Sequence, residues 1–262
     1  MSALETSALE TRGLTRRFGA FTAVDNVTLS VAEGARHALI GPNGAGKTTF
    51  VNLLSGAIPA SAGTVALLGE DVTRAPQHAR VRRGLARTFQ VNQLFAELSP
   101  REAVLLAVSE RSGQGRTWWR PIAAMASPRR EAEALLDLVR FPAAGRDGRT
   151  GSLAYGRQRL LEIALALAMK PRVLLLDEPA AGVPPAESRE VLEAVSALPR
   201  DVAVLLIEHD MDLVFRFAER ITVLAQGAVL ADGMPDAIAR DPRVKEAYLG
   251  TMEVGVGEVG HG

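Results

Sequence analysis

The sequence predicts an α/β fold with a mainly parallel sheet, an N-terminal antiparallel β subdomain and an inserted helical subdomain. Three observations carry that expectation. Short β-branched and aliphatic runs alternate with longer helical patterns, as in a parallel sheet covered by helices. The runs Thr22 to Val31 and Thr64 to Leu68 alternate more and sit beside glycine-containing turns, which reads, with the region around Leu14, as a smaller antiparallel sheet. Between Phe89 and Pro171 strand signals nearly vanish and helical ones replace them.

Taken in order, Met1 to Thr11 carries a tandem SALET repeat, acidic and without an apolar stretch, so it does not read as a signal peptide. Residues 1–8 are expected to be flexible. The clearest strands are Ala35 to Ile40, Leu85 to Phe89, Val173 to Leu176, Val202 to Ile207 and Ile221 to Leu224, each short, aliphatic and bounded by polar or turn residues. A helical run begins near Lys47. Pro100 after Ser99 and Pro128 after Ser127 each open an amphipathic run, because proline at a first helical position gives up no needed N–H. The helical subdomain is placed at about 90–157, least regular from Arg111 to Pro121, where Trp118 and Trp119 serve packing or a partner or membrane contact. Gln226 and Gly227 turn a terminal hairpin into Ala228 to Ala231, and the Gly, Val and Glu residues that dominate the end make 251–262 a mobile tail.

Composition narrows the function. A chain of 262 residues buries roughly 70 to 75% of its unfolded surface, so it needs no staples. With 30 basic and 30 acidic residues it has no global field to draw nucleic acid, and zero cysteines exclude a disulfide framework or thiolate metal site. The longest apolar run, Ile163 to Met169, is far too short to span a bilayer.

Gly41, Pro42, Asn43, Gly44, Ala45, Gly46, Lys47 and Thr48 fit G-x-x-x-x-G-K-[ST] between an apolar strand and a helix, with Thr49 following. Glycines let backbone N–H groups wrap phosphates, the helix N-terminus adds a favourable dipole, Lys47 neutralises the outer phosphates and the Thr48 hydroxyl serves Mg²⁺. The α/β core therefore reads as a P-loop NTPase core. Val173 to Leu176 ends in Asp177 and Glu178, which puts two carboxylates at a strand's carboxyl end, where open α/β sheets bind ligands. Asp177 is the candidate for Mg²⁺ and Glu178 for the base that activates water. His209 follows Val202 to Ile207 and is the candidate for a γ-phosphate contact, whereas His37 and His78 read as surface or capping residues. Gln90, at the end of Leu85 to Phe89, is placed to read Mg²⁺ or water and report to the helices.

These residues in this order resemble the ATP-binding subunit of an ABC transporter over essentially all of Leu9 to Gly250, with the domain taken as 9–250. Leu153, Ala154, Tyr155, Gly156 and Arg157, followed by Gln158, are similar to the family's signature, usually Leu-Ser-Gly-Gly-Gln, with Ala154, Tyr155 and Arg157 departing from it. Arg87 to Gln90, Leu153 to Ile163, Asp177 to Gly182, Ile207 to Met211 and Ala247 to Gly250 together resemble the ATPases of branched-chain amino acid importers. Pro184 stands where that family usually has Asp or Asn, which puts a polar cross-interface contact in doubt. The resemblance implies an aromatic residue that stacks on adenine; Phe18 is the match, with Val24 lining the base, although Phe18 equally suits a plug for the small sheet. It also implies two ATPase subunits sandwiching two ATP, each phosphate loop facing the other's signature helix in trans.

The expected role is a peripheral ATPase at the cytoplasmic face of the inner membrane, working with a second ATPase subunit, identical or different, with transmembrane permease subunits and indirectly with an extracytoplasmic solute-binding protein. The permease is expected to dock at Val91 to Leu98 through Leu94 and Phe95, a stretch that equally suits buried core. The solute is a branched-chain or other hydrophobic amino acid, with urea, an amide or an aromatic acid as alternatives. A clamp ATPase of DNA repair or translation is a further alternative, but such proteins usually carry long coiled-coil insertions or fused ATPase units, and neither is visible. A regulator without turnover fits poorly with the presence of Glu178.

Overall fold

The computed structural model describes residues 7–88, 96–113 and 126–253. Gln90, Leu94, Phe95, Trp118, Trp119 and the tail from Val254 lie outside the described residues. In chain order the elements are β1 (Ser7–Phe18), β2 (Phe21–Ala32), β3 (Arg36–Ile40), α1 (Lys47–Ser55), β4 (Ala62–Leu67), β5 (Glu70–Asp71), α2 (Gln77–Arg82), β6 (Leu85–Arg87), α3 (Pro100–Arg111), α4 (Ala126–Leu138), α5 (Tyr155–Ala168), β7 (Val173–Asp177), α6 (Pro185–Ser196), β8 (Ala203–Ile207), α7 (Met211–Phe217), β9 (Arg220–Ala225), β10 (Ala228–Gly233), α8 (Pro235–Arg240) and α9 (Pro242–Glu253). Two compact units result, Met1–Arg80 with Ala203–Gly262, and Val81–Val202.

In the first unit β2, β1, β4 and β5 form an antiparallel sheet in that order. Strand β3 runs parallel to both β8 and β9, and β10 folds back antiparallel on β9. Every residue of β3 and of β8 is buried, which is why β8 reads as an unbroken apolar run rather than an alternating one. Strand β1 begins at Ser7 and Ala8 is buried, so the second half of the SALET repeat belongs to the sheet rather than to a flexible leader. Leu68, expected in a strand, instead takes the turn after β4 with φ +51°.

Helix α1 is fixed at its far end by Arg80. The guanidinium is 2% exposed and donates to Leu53 O and Leu54 O, both at 2.7 Å, to Thr73 O at 2.9 Å and to Ala75 O at 3.0 Å. Two of those carbonyls belong to the last turn of α1, where a helix has no acceptors' partners of its own and its dipole favours a cation.

In the second unit β6 pairs parallel with β7, while α3, α4 and α5 pack on one another and α5 also on α6. Helix α3 opens as the sequence requires. Ser99 Oγ accepts from Glu102 N–H, the Glu102 carboxylate accepts from Ser99 N–H at 2.9 Å, and Pro100 fills the first position. Ser127 and Pro128, expected to open a helix, lie within α4, Ala126–Leu138. Arg146, nearly buried, ties this unit together by donating to Glu133 at 2.9 Å and Asp137 at 2.6 Å on α4 and to Phe141 O at 2.8 Å.

His37 corrects the expectation of a surface histidine. It is 1% exposed on β3, and its Nε2 lies 2.8 Å from Thr222 Oγ1 on β9. Thr222 donates onward to Asp232, so its oxygen accepts from Nε2–H. Burial pushes the pKa of His37 down to about 4, against a partial opposing pull from Asp232. Because the folded value lies below the unfolded one of about 6.5, the unfolded chain takes the proton first as pH falls. The histidine's penalty should therefore be absent above about pH 6.5, grow between 6.5 and 4, and level off below, reaching roughly 2 to 4 kcal/mol. Denaturant unfolding across that range should show this slope in the wild type and lose it in His37→Gln; parallel profiles would contradict the assignment.

Candidate functional site

The phosphate loop leaves β3 at Gly41 and becomes α1 at Lys47. Gly46 is the N-cap, with φ +96° and no side-chain hydrogen bond to the helix. Gly46 has no side chain to cap α1, and the first N–H groups of any α-helix have no acceptors within the helix, the condition that makes a helix N-terminus an anion site. Lys47 is 8% exposed, and its Nζ donates to Gly41 O at 2.5 Å and Pro42 O at 3.1 Å, folded back across the loop. Asn43, Gly44 and Thr48 are exposed around it. The amides of a helix start and an ammonium group on one turn fit a phosphate chain.

Two neighbours shape this loop. Gly227, in the turn between β9 and β10, donates its N–H to Ala45 O at 3.0 Å and accepts from Asp25 N–H of β2 at 2.8 Å. Beside it, β2 passes so close to Gly46 that an added Cβ would meet Ala23 O at 2.4 Å. Val24 lies in the same passage with no exposed surface, so the base-lining position expected of it is corrected to a core position. Phe18, by contrast, is 45% exposed at the end of the β1–β2 hairpin, opposite Phe21, with the Arg16 guanidinium 4.5 Å over its ring. An exposed aromatic face with a cation on one side fits a planar base better than it fits a core plug.

His209 follows Glu208 beyond β8 and is mostly exposed; its backbone N–H donates to Glu208 Oε2 at 3.1 Å. Asp210 caps α7 by accepting from Asp212 and Leu213 N–H. Tyr248 of α9 was not foreseen as part of the site. Its hydroxyl faces the Gly41 backbone, and burial pushes its pKa up to about 12 while that backbone contact opposes the shift. The Ala247 to Gly250 motif was the signal available for it.

In the second unit Asp177 closes β7, one residue later than the expected strand end, and its Oδ2 accepts from Arg87 Nη2 of neighbouring β6 at 2.6 Å. Glu178 takes φ +48°, a left-handed conformation that costs a non-glycine residue of order 1 to 3 kcal/mol and collects at functional sites. The hydroxyl of Thr48 and the carboxylate of Asp177 are hard oxygen donors suited to Mg²⁺.

The signature segment behaves as a helix start. Ala154 is the N-cap of α5 and offers no side-chain acceptor. The Gly156 N–H instead donates to Glu187 Oε2 of α6 at 2.8 Å. Sequence reasoning missed Glu187, since nothing local marks a contact across 31 residues.

A loop of this geometry on a parallel α/β core defines a nucleotide-binding P-loop protein. A family model described as ABC transporter matches residues 24–181, and one described as branched-chain amino acid ATP-binding cassette transporter matches 228–254. The high-affinity branched-chain amino acid transport ATP-binding protein BraF of Pseudomonas aeruginosa is 42% identical, over 92% of this chain and 97% of its own. LivG of Escherichia coli, which bears the same description, is 40% identical with the same coverage. An ATP-binding cassette of an ABC transporter in its ADP conformation superposes with a TM-score of 0.82 at 29% identity, covering 93% of this chain and 99% of that one. The chain belongs to the ABC transporter family as one of its ATP-binding cassettes, an ATPase coupled to transport.

Gly46 and Gly44 both have positive φ, but a Cβ on Gly44 would meet nothing within 4 Å. Gly44→Ala should cost about 1 kcal/mol, and Gly46→Ala, which adds a backbone clash, roughly 2 to 4 kcal/mol. Thermal unfolding of the two variants checks the order; equal losses would contradict the packing of β2 on the loop.

Proposed function

We propose that this cassette energises import of branched-chain or other hydrophobic amino acids. The observation that carries the substrate class is the match of residues 228–254 to the branched-chain amino acid family, supported by relatives of that description at 40–42% identity. The lipopolysaccharide export protein LptB of Acidithiobacillus ferridurans is less similar, at 35%. Among the described residues no helix is long and apolar enough to cross a membrane, which suits peripheral attachment at the cytoplasmic face through permease subunits. The working unit is a sandwich with a second ATPase subunit, and the solute arrives from an extracytoplasmic binding protein.

In this reading backbone N–H groups of the loop and the first turn of α1, other than those of Pro42, which has none, and Ala45, which bonds Pro42 O, act with the Lys47 ammonium to bind the phosphates, and charge that develops on the γ-phosphoryl group meets fixed donors without reorganisation. Thr48, Asp177 and Gln90 are the residues that would hold Mg²⁺, which would neutralise phosphate charge when bound. Glu178 takes a proton from the attacking water, His209 steadies the γ-phosphate and Phe18 stacks on the base. The partner contributes its own Leu153 to Arg157 segment, with the Gly156 N–H directed to the γ-phosphate. Arg87, paired with Asp177, fixes the orientation of that carboxylate.

Two expected outcomes follow from these roles. Glu178→Gln keeps size and hydrogen bonding but removes the base. It should bind ATP normally, lose turnover on the order of 10²-fold or more and prolong the ATP-bound dimer. Normal turnover in that variant, measured in the reconstituted transporter, would remove Glu178 from the role. Phe18→Ala should weaken ATP about 5-fold to 150-fold while leaving inorganic triphosphate binding unchanged. Equal loss for both ligands would point to a folding defect instead.

A further inference from the structure

The helix that carries the signature does not have an open N-terminus in the single subunit. Its N-cap, Ala154, has no side chain able to accept a hydrogen bond, yet the Gly156 N–H is satisfied by a carboxylate, Glu187 Oε2, at 2.8 Å. The approach is tight: a Cβ built on Gly156 would lie 2.5 Å from Glu187 Oε2 and 2.7 Å from Glu187 Cβ.

The reason Glu187 is free to reach α5 lies at the start of its own helix. Glu187 is the third residue of α6, the position from which a glutamate ordinarily turns back to accept from the N-cap backbone N–H. Here the N-cap is Pro184, which has no N–H to give. The backbone N–H of Ser188 is already bonded to Pro184 O at 2.9 Å. A carboxylate denied its local partner is carried across to the positive end of a neighbouring helix, where an anion is favoured by both the dipole and the unpaired amide.

We infer that Glu187 is an intrasubunit placeholder for phosphate: its carboxylate occupies the anion position of the signature helix in the lone cassette and must withdraw before a partner's ATP can be accepted there. The inference rests on the sandwich reading given above. Two anions at one helix N-terminus repel, so each closed site forms only by exchange of the Glu187 carboxylate for the γ-phosphate. The contact sets a threshold for closure and keeps the signature amide satisfied while the subunits are apart.

The test uses the full chain with Glu187→Gln, which keeps length and an amide oxygen without charge, and Glu187→Ala. Without nucleotide, the Gly156 amide should exchange its hydrogen faster in Glu187→Ala than in the wild type; unchanged exchange overturns the contact. With ATP, both variants should dimerise at lower nucleotide concentration, by about 2-fold to 30-fold as followed by light scattering. Glu187→Gln, which retains shape, supports the inference even if Glu187→Ala unfolds. Dimerisation of wild type and variants at the same ATP concentration, or a higher requirement in the variants, overturns the placeholder alone. Absence of any ATP-driven dimer, for the wild type and in the reconstituted transporter alike, overturns the sandwich and this inference with it.

Discussion

The loop from Gly41 to Gly46 belongs to neither a strand nor a helix, and its shape depends on backbone groups supplied from elsewhere. The central constraint is the turn at Gly227, whose N–H holds Ala45 O and whose carbonyl holds Asp25 N–H. One residue thereby joins the nucleotide loop, the antiparallel sheet and the β9–β10 hairpin. The loop spends one amide on itself, Ala45 N–H to Pro42 O at 3.1 Å, and its other support comes from its carbonyl side, at Ala45 O. The close approach of β2 at Ala23 and the Arg80 cap at the other end of α1 extend the same arrangement to the whole helix.

Much of the architecture was legible because its strands are buried on both faces. Runs such as Val202 to Ile207 have no polar alternation to confuse the reading, and the phosphate motif falls at the one junction where its glycines have a function. The same property hid His37. A histidine reads as a surface residue by composition, yet in a strand buried throughout there is no exposed side on which to place it. Its neighbours Ala38, Leu39 and Ile40 carried that information. Val24 was misplaced for a related reason: proximity along the chain to Phe18 suggested a shared surface, but the two residues differ in exposure from none to nearly half.

Contacts made across long sequence separations were not legible. Tyr248 meets Gly41 only because α9 returns to the loop, and Glu187 meets Gly156 only because α5 and α6 lie side by side. Pro184 shows how a departure from a pattern gains meaning once the fold is known. As a sequence feature it signals a missing polar group; in the structure it is a missing amide, which redirects a glutamate.

The discontinuity of the first unit bears on how the protein is made. Strand β3, which launches the phosphate loop, takes both of its parallel partners, β8 and β9, from the last 60 residues, and the Gly227 turn comes later still. A ribosome adding about 5 to 20 residues per second has long since released the glycines of the loop before the strands that hold them exist. During that interval the Val81–Val202 unit, continuous in sequence, has all of its own residues available to fold. The residues of the signature helix are thus all made before the strands that flank the nucleotide loop, and a cassette broken off short of its C-terminal strands carries the complete phosphate motif without the sheet partners of β3 and without the Gly227 contact.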